Sequence, residues 1–230
     1  MSFSFLLQME VVASEKIGVK EVPVMDIIAE SNKGVGWIIN LILLLMLGYV
    51  VFVFVERYLA LRKASKEEND FLSKIKDYLM EGKIDQAKDI CGRSDSPSAR
   101  MLEKGIARLG KPIESISASI ESTAKLEILR LEQRLSFLAT AAGAAPMIGF
   151  LGTTLGMVVV FIDLQNATTL ELKVIAPGIM TAMITTVAGL IVGILSFIGY
   201  NYLVAKIGNI VYQMENAALE FMDLLNQPGK

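Results

Sequence analysis

Three stretches of this chain, residues 34–55, 136–162 and 174–205, contain no Asp, Glu, Lys or Arg over 22, 27 and 32 residues respectively. A helix needs about 20 predominantly apolar residues to cross a bilayer. Buried core helices of soluble proteins seldom run that far without a charge. The pattern therefore predicts an all-α, polytopic membrane protein with three transmembrane helices. The second and third stretches exceed what a bilayer requires, so they tilt or continue into water. At 53% hydrophobic and 20% charged residues, with mean hydropathy +0.51, the chain also holds more charge than spans alone would carry. A soluble part is expected beside them.

The basic residues indicate where that part lies. Residues 56–135 hold 16 of the 22 Lys and Arg, with Arg57, Arg62, Lys63 and Lys66 directly after the first span. Short flanks rich in Lys and Arg stay cytoplasmic. The expected layout is a periplasmic segment over 1–33, spans over 34–55, 136–163 and 174–205, a cytoplasmic domain over 56–135, a periplasmic loop over 164–173 and a cytoplasmic tail over 206–230. No cleaved signal peptide is evident: MSFSFLLQM has no preceding Lys or Arg and no nearby small-residue cleavage site. The lone Cys91 falls on the cytoplasmic side and reads as a reduced packing residue.

Outside the spans the periodicity is helical. Val22, Met25 and Ile28 suit a short amphipathic helix at the outer interface. Phe71, Ile75, Tyr78 and Leu79 form a stripe at helical spacing, with Gly82 as a stop. IDQAKDICGR (84–93) reads as a short amphipathic helix, SDSPS (94–98) as a turn, and 99–110 as a helix ending at Gly110. From Pro112 onward, Ile113, Ile116, Ile120, Leu126, Leu129 and Leu135 recur on a charged background, and no turn signal precedes the second span. One long helix is expected from there through the membrane. The tail repeats Ile207, Ile210, Met214, Ala217, Phe221 and Leu224 at threes and fours, so it should continue the third span and pack on the cytoplasmic helices. Two of the three membrane helices are thus expected to extend into a cytoplasmic bundle, with Glu56 and Arg57 anchoring the boundary.

The unusual residues lie inside the spans. PMIGFLGTTLGM (146–157) puts a proline, glycines and two threonines at membrane depth. Lipid tails are as apolar as leucine, so membrane helices associate where small residues let their backbones approach. Gly149, Gly152 and Gly156, extended by Ala145, share one face of the second span; Gly178, Ala182, Thr185, Gly189 and Gly193 do so in the third. Pro146 and Pro177 are candidate kinks that free the carbonyls of Ala142 and Lys173. Freed carbonyls in a membrane need another partner. Thr153, Thr154, Thr181, Thr185 and Thr186 supply hydroxyls, either as a wet seam for an ion or as hydrogen-bond glue between helices. No Asp, Glu, Lys, Arg or His lies deep in any span; Asp163, at the outer end of the second, is a candidate point of ion access. Proton relays in membranes use such groups, so a complete proton machine would need an acid from a partner.

Soluble chemistry is not indicated. The chain has no histidine, which removes His-based triads and His-ligated zinc. GFLGTTLG is an apolar span, not a phosphate loop. No enzyme activity, cofactor, metal or nucleic-acid partner is expected.

At these residues the chain resembles the ExbB/TolQ/MotA family of inner-membrane ion-channel subunits, on its three-span ExbB/TolQ branch. APMIGFLGTTLGM (145–157) is similar to the family's proline followed by G-L-L-G-T-V-x-G. VIAPGIMTAMITTVAGLIVGI (174–194) is similar to APGIxxALxTTxxGLxxAI, and VERYLALRK (55–63) to E-R-x-x-x-L-R. The resemblance covers residues 35–215. It implies a pentamer whose second and third spans line a pore around ExbD- or TolR-like single-span subunits. Each of those would carry an intramembrane aspartate, and force would pass to a TonB- or TolA-like protein. By position, Thr153 and Thr186 match the family's polar threonines. The departure is Thr181, where ExbB of the best-known type has glutamate; this favours a hydroxyl-and-water route or a different ion, so proton and sodium both stay open. A non-conducting scaffold for a single-span partner is the alternative. A secondary transporter is disfavoured, because no inverted repeat or charged pocket is visible.

Overall fold

The computed structural model describes residues 36–65, 71–166 and 172–226. Every regular element among them is α-helical: α1 (Gly36–Ala64), α2 (Phe71–Met80), α3 (Ile84–Arg93), α4 (Pro97–Ile106), α5 (Ile113–Leu131), α6 (Leu135–Asn166) and α7 (Leu172–Asn226). The expected amphipathic helix at Val22–Ile28, residues 167–171 of the expected 164–173 loop and the last four residues lie outside the described residues.

Helices α1, α6 and α7 are long and apolar enough to cross a membrane, and only 22%, 17% and 39% of their most apolar windows is buried within the chain. The rest of those windows presents apolar side chains outward, as a helix facing lipid or another subunit does. Helix α7 runs 55 residues without a break, so the third span and the amphipathic tail are one element.

The chain divides into two compact units. Among the described residues, the first takes in 36–42 and 148–188, where α6 and α7 meet through small residues. The second takes in 43–147 and 189–226 and contains one continuous core. Phe71 and Ile75 of α2, Ala87 and Cys91 of α3, and Met101, Leu102 and Ile106 of α4 are buried there. So are Ile116 and Ile120 of α5 and Ile207, Ile210, Met214, Ala217 and Phe221 of α7. Each set recurs at threes and fours, which is how a helix turns one stripe inward. Gly105 makes room at the centre: a Cβ there would stand 2.8 Å from Ile120 Cδ1 and 3.1 Å from Phe221 Cε1.

Local chemistry explains most helix ends in this unit. Gly82 (φ 71°) and Gly110 (φ 87°) take the left-handed conformation that favours glycine, just past α2 and α4. Ser96 caps α4 by accepting from the Ala99 N–H at 3.1 Å, with Pro97 in the first turn.

One expectation fails here. No single helix runs from Pro112 through the second span: α5 ends at Leu131 and α6 begins at Leu135. The corner turns on Arg134, whose φ of 64° is left-handed. Its guanidinium donates to Glu56 Oε2 of α1, and Leu131 and Leu135 are buried on either side. The intervening Glu-Gln-Arg contains no glycine or proline, so nothing local signals the break. Leu126 and Leu129, counted in the same stripe, are 58% and 62% exposed.

Candidate functional site

In the first unit the glycine and alanine positions of α6 and α7 set the distance between the helices. A Cβ at Gly152 would lie 2.6 Å from Thr185 Cβ, and one at Gly156 would lie 3.0 Å from Ala182 Cβ. A Cβ at Gly178 would overlap Val160 Cγ2. These neighbours are backbone-proximal atoms of stiff side chains, so a methyl group there separates the helices instead of displacing a flexible tip. Gly149 and Gly189 are buried as well.

Both prolines sit within unbroken helix, Pro146 in α6 and Pro177 in α7. In the second unit Gly193 approaches Pro146 so closely that a Cβ on it would lie 2.7 Å from the proline Cγ and 3.2 Å from the Ala142 carbonyl oxygen. That is the carbonyl from which Pro146 withholds an N–H.

The five threonines separate into two kinds. Three satisfy their hydroxyls on their own helix: Thr153 donates to the Phe150 carbonyl at 2.6 Å, Thr154 to Leu151 at 2.9 Å and Thr181 to Pro177 at 2.9 Å. Such back-bonding is the usual resort of a helical threonine in an apolar setting. The other two reach across from α7 to α6. Thr186 Oγ1 stands 3.2 Å from the Gly149 carbonyl, and Thr185 Oγ1 stands 3.4 Å from the same oxygen. Thr185 also donates to its own Ala182 carbonyl at 2.7 Å. Thr185 is fully buried, whereas Thr186, Thr153 and Thr181 keep partial exposure and Thr154 is open. Gly149, read from sequence only as a packing position, is thus the main-chain acceptor on which two threonines converge. A glycine at small-residue spacing opposite a Thr-Thr pair was the available signal; the acceptor itself is backbone and leaves no mark in a sequence.

Asp163 is exposed on α6, near its C-terminal end. Glu56 and Arg57 lie in the second unit. Arg57 Nη2 donates to Glu56 Oε1 at 2.9 Å, and Arg134 takes the other carboxylate oxygen. The partner of Glu56 on the α5–α6 corner was not foreseen. Nor was the burial of Glu127 on α5, whose Oε2 accepts from Arg100 Nε at 3.0 Å and Nη2 at 2.6 Å while Oε1 accepts from Arg130 at 2.6 Å.

The sequence is similar to those of known proteins. The TolQ protein of the Tol-Pal system from Haemophilus influenzae is 38% identical over 101 residues, covering 44% of each chain. An ExbB biopolymer transport protein from Aquifex aeolicus is 40% identical over 89 residues, which is 39% of this chain and 60% of that one. A putative ExbB-like 2 protein from Helicobacter pylori is 42% identical over 82 residues, 36% of this chain and 54% of its own. The chain therefore spans about half the length of these relatives. The family model described as the MotA/TolQ/ExbB proton channel family matches residues 93–216, more than half of the chain, from the end of α3 through α4, α5 and α6 and most of α7. With its paired small-residue helices and its threonines at the α6–α7 contact, this chain belongs to the MotA/TolQ/ExbB proton channel family.

Proposed function

We propose that this chain is the ion-conducting subunit of an energy transducer in the bacterial inner membrane. Its N-terminus is periplasmic and its C-terminus cytoplasmic. It assembles as a homo-pentamer around an ExbD/TolR-like single-span subunit whose intramembrane aspartate exchanges the ion, and it passes work to a TonB- or TolA-like protein. The relatives' names, Tol-Pal system protein and biopolymer transport protein, support that setting.

One observation carries the reading. Thr153, Thr154, Thr181 and Thr186 keep exposure on α6 and α7, while residues 136–162 and 174–205 contain no Asp, Glu, Lys, Arg or His. Hydroxyls coordinate ions and order water but do not bind and release protons near neutral pH. A path lined this way needs an acid from another polypeptide. Thr153, Thr154, Thr181 and Thr186 are assigned to the path. Thr185, fully covered before any subunit docks, is assigned to the contact between the helices. Asp163 is assigned to ion access at the outer end, and the small residues to holding α6 against α7.

The test is the pair Thr153→Val and Thr186→Val in one chain, reconstituted with its single-span partner. Oligomer mass should match the parent, and gradient-driven cation flux should be lost. Full flux from the double variant would end the conducting reading and leave the non-conducting scaffold.

A further inference from the structure

We infer that Thr185 is a positioning residue, a reserve hydrogen-bond donor to the Gly149 carbonyl that frees the Thr186 hydroxyl to donate to water in the ion path. The inference rests on the proposed conducting role and deepens it.

The geometry of one oxygen leads there. Gly149 lies within helical α6, so its carbonyl has the helix's own donor, the Thr153 N–H four residues on. Its second lone pair faces two hydroxyls from α7, Thr186 at 3.2 Å and Thr185 at 3.4 Å. Each hydroxyl has a single hydrogen to donate. Thr185 spends its hydrogen on Ala182 O at the shorter 2.7 Å, so Thr186 serves Gly149 in the arrangement observed.

The two hydroxyls differ in what they can reach. Thr185 is fully buried and Thr186 partly exposed. Only Thr186 can contact water in the path, and to donate to that water it must release Gly149. In a water-poor interior a released acceptor is costly unless another donor replaces it. Thr185 can replace it by rotating its O–H bond alone, because both acceptors already lie around the same Oγ1. Ala182 O is not stranded by that rotation, since it retains the helical N–H of Thr186 four residues on. No bond to oxygen forms or breaks; two hydrogens change direction.

The glycine explains why this is possible here. A Cβ at Gly152 would lie 2.6 Å from Thr185 Cβ, so only glycine lets Thr185 sit this near α6.

A direct test uses the sequence itself. Gly149-Phe150 is the one Gly-Phe pair in the chain. Carbonyl-13C glycine with 15N phenylalanine therefore gives a single one-bond correlation, which reports the Gly149 carbonyl of the full-length complex in bilayers by solid-state NMR. Thr185→Val and Thr186→Val should each move that carbonyl signal little, because the other hydroxyl covers the oxygen. The double variant should move it upfield by clearly more than the sum. Thr186→Val alone moving the signal as far as the double variant would overturn the reserve role, and so would strict additivity. In flux measurements Thr185→Val should slow conduction about two- to tenfold, the equivalent of one ordinary hydrogen bond, and Thr185→Ser should restore it. Unchanged flux in Thr185→Val would overturn the inference while leaving the conducting role standing. Unchanged flux in Thr153→Val with Thr186→Val would remove that role, and the NMR result would stand apart from it.

Discussion

Glu127 shows how much a single residue can organise away from the membrane. Its side chain is 3% exposed and accepts from Arg100 twice and Arg130 once, while the two arginines remain 38% and 64% exposed. The cluster is asymmetric: each arginine can return to water, but the carboxylate cannot. Arg100→Met strands Oε2 and should cost about 2–3 kcal/mol, within the range for charged hydrogen bonds. Glu127→Gln releases both arginines to solvent and should cost less. Melting temperatures of the two purified variants decide the order, and the reverse ranking would refute it. Cys91 poses a similar question of access. It is fully buried, and that burial pushes its thiol up to about 12 from an ordinary value of 9.0. The nucleophile is the thiolate, so a maleimide at neutral pH should label Cys91 only after unfolding. Because the folded thiol titrates above the unfolded one, its share of stability is complete below the ordinary value and is lost as pH climbs toward 12. Rapid labelling of the folded protein would contradict its place in the core.

At the scale of elements, the informative feature is the corner between α5 and α6. Arg134 holds a left-handed φ of 64°, a conformation that costs a non-glycine residue roughly 1 kcal/mol or more. Its ion pair with Glu56 joins groups 52% and 32% exposed, and such pairs contribute little. Arg134→Gly should therefore hold or raise the melting temperature, while Arg134→Val should lower stability by about 1–2 kcal/mol, since a β-branched residue tolerates that region poorly. Equal melting for the two variants would argue for a continuous helix. On α6, Gly152→Ala places a methyl against Thr185 and should cost on the order of 1–3 kcal/mol, as overpacking does. Its melting temperature beside that of Gly48→Ala, where a Cβ meets nothing within 4 Å, separates a packing effect from a propensity effect.

For the whole molecule, the exposed apolar surface is the main constraint. Besides the spans, Leu126 and Leu129 of α5 and Tyr212 and Leu219 of α7 are 58–64% exposed in the second unit. They accompany two clefts of about 610 and 430 Å³, both lined by Ile128, Val211 and Glu215. A charge at Leu129 should leave the single chain intact, because the site is open, and should weaken the proposed assembly, because a docked copy would bury it. Leu129→Asp is expected to keep its helix content while shifting to lower mass in light scattering of the detergent-solubilised protein. Parent mass would count against α5 as an assembly face.

Sequence and fold divide the account along a physical line. Charge-free length, helical periodicity and the glycine stops at Gly82 and Gly110 are properties of neighbouring residues along one chain, so three long apolar helices, a helical part beside them and the paired motifs are legible from residue order. The corner at Arg134 was not, because Leu131 and Leu135 keep helical spacing whether or not the helix breaks between them. The burial of Glu127 was not, because its partner Arg100 lies 27 residues away. Residue order did not say which partner each of the five threonine hydroxyls would take. Only the approach of α7 to α6 separated the three that bond to their own helix from the two that meet at Gly149, because a hydroxyl's partner is chosen by distances of a few ångströms through space, which residue order does not contain.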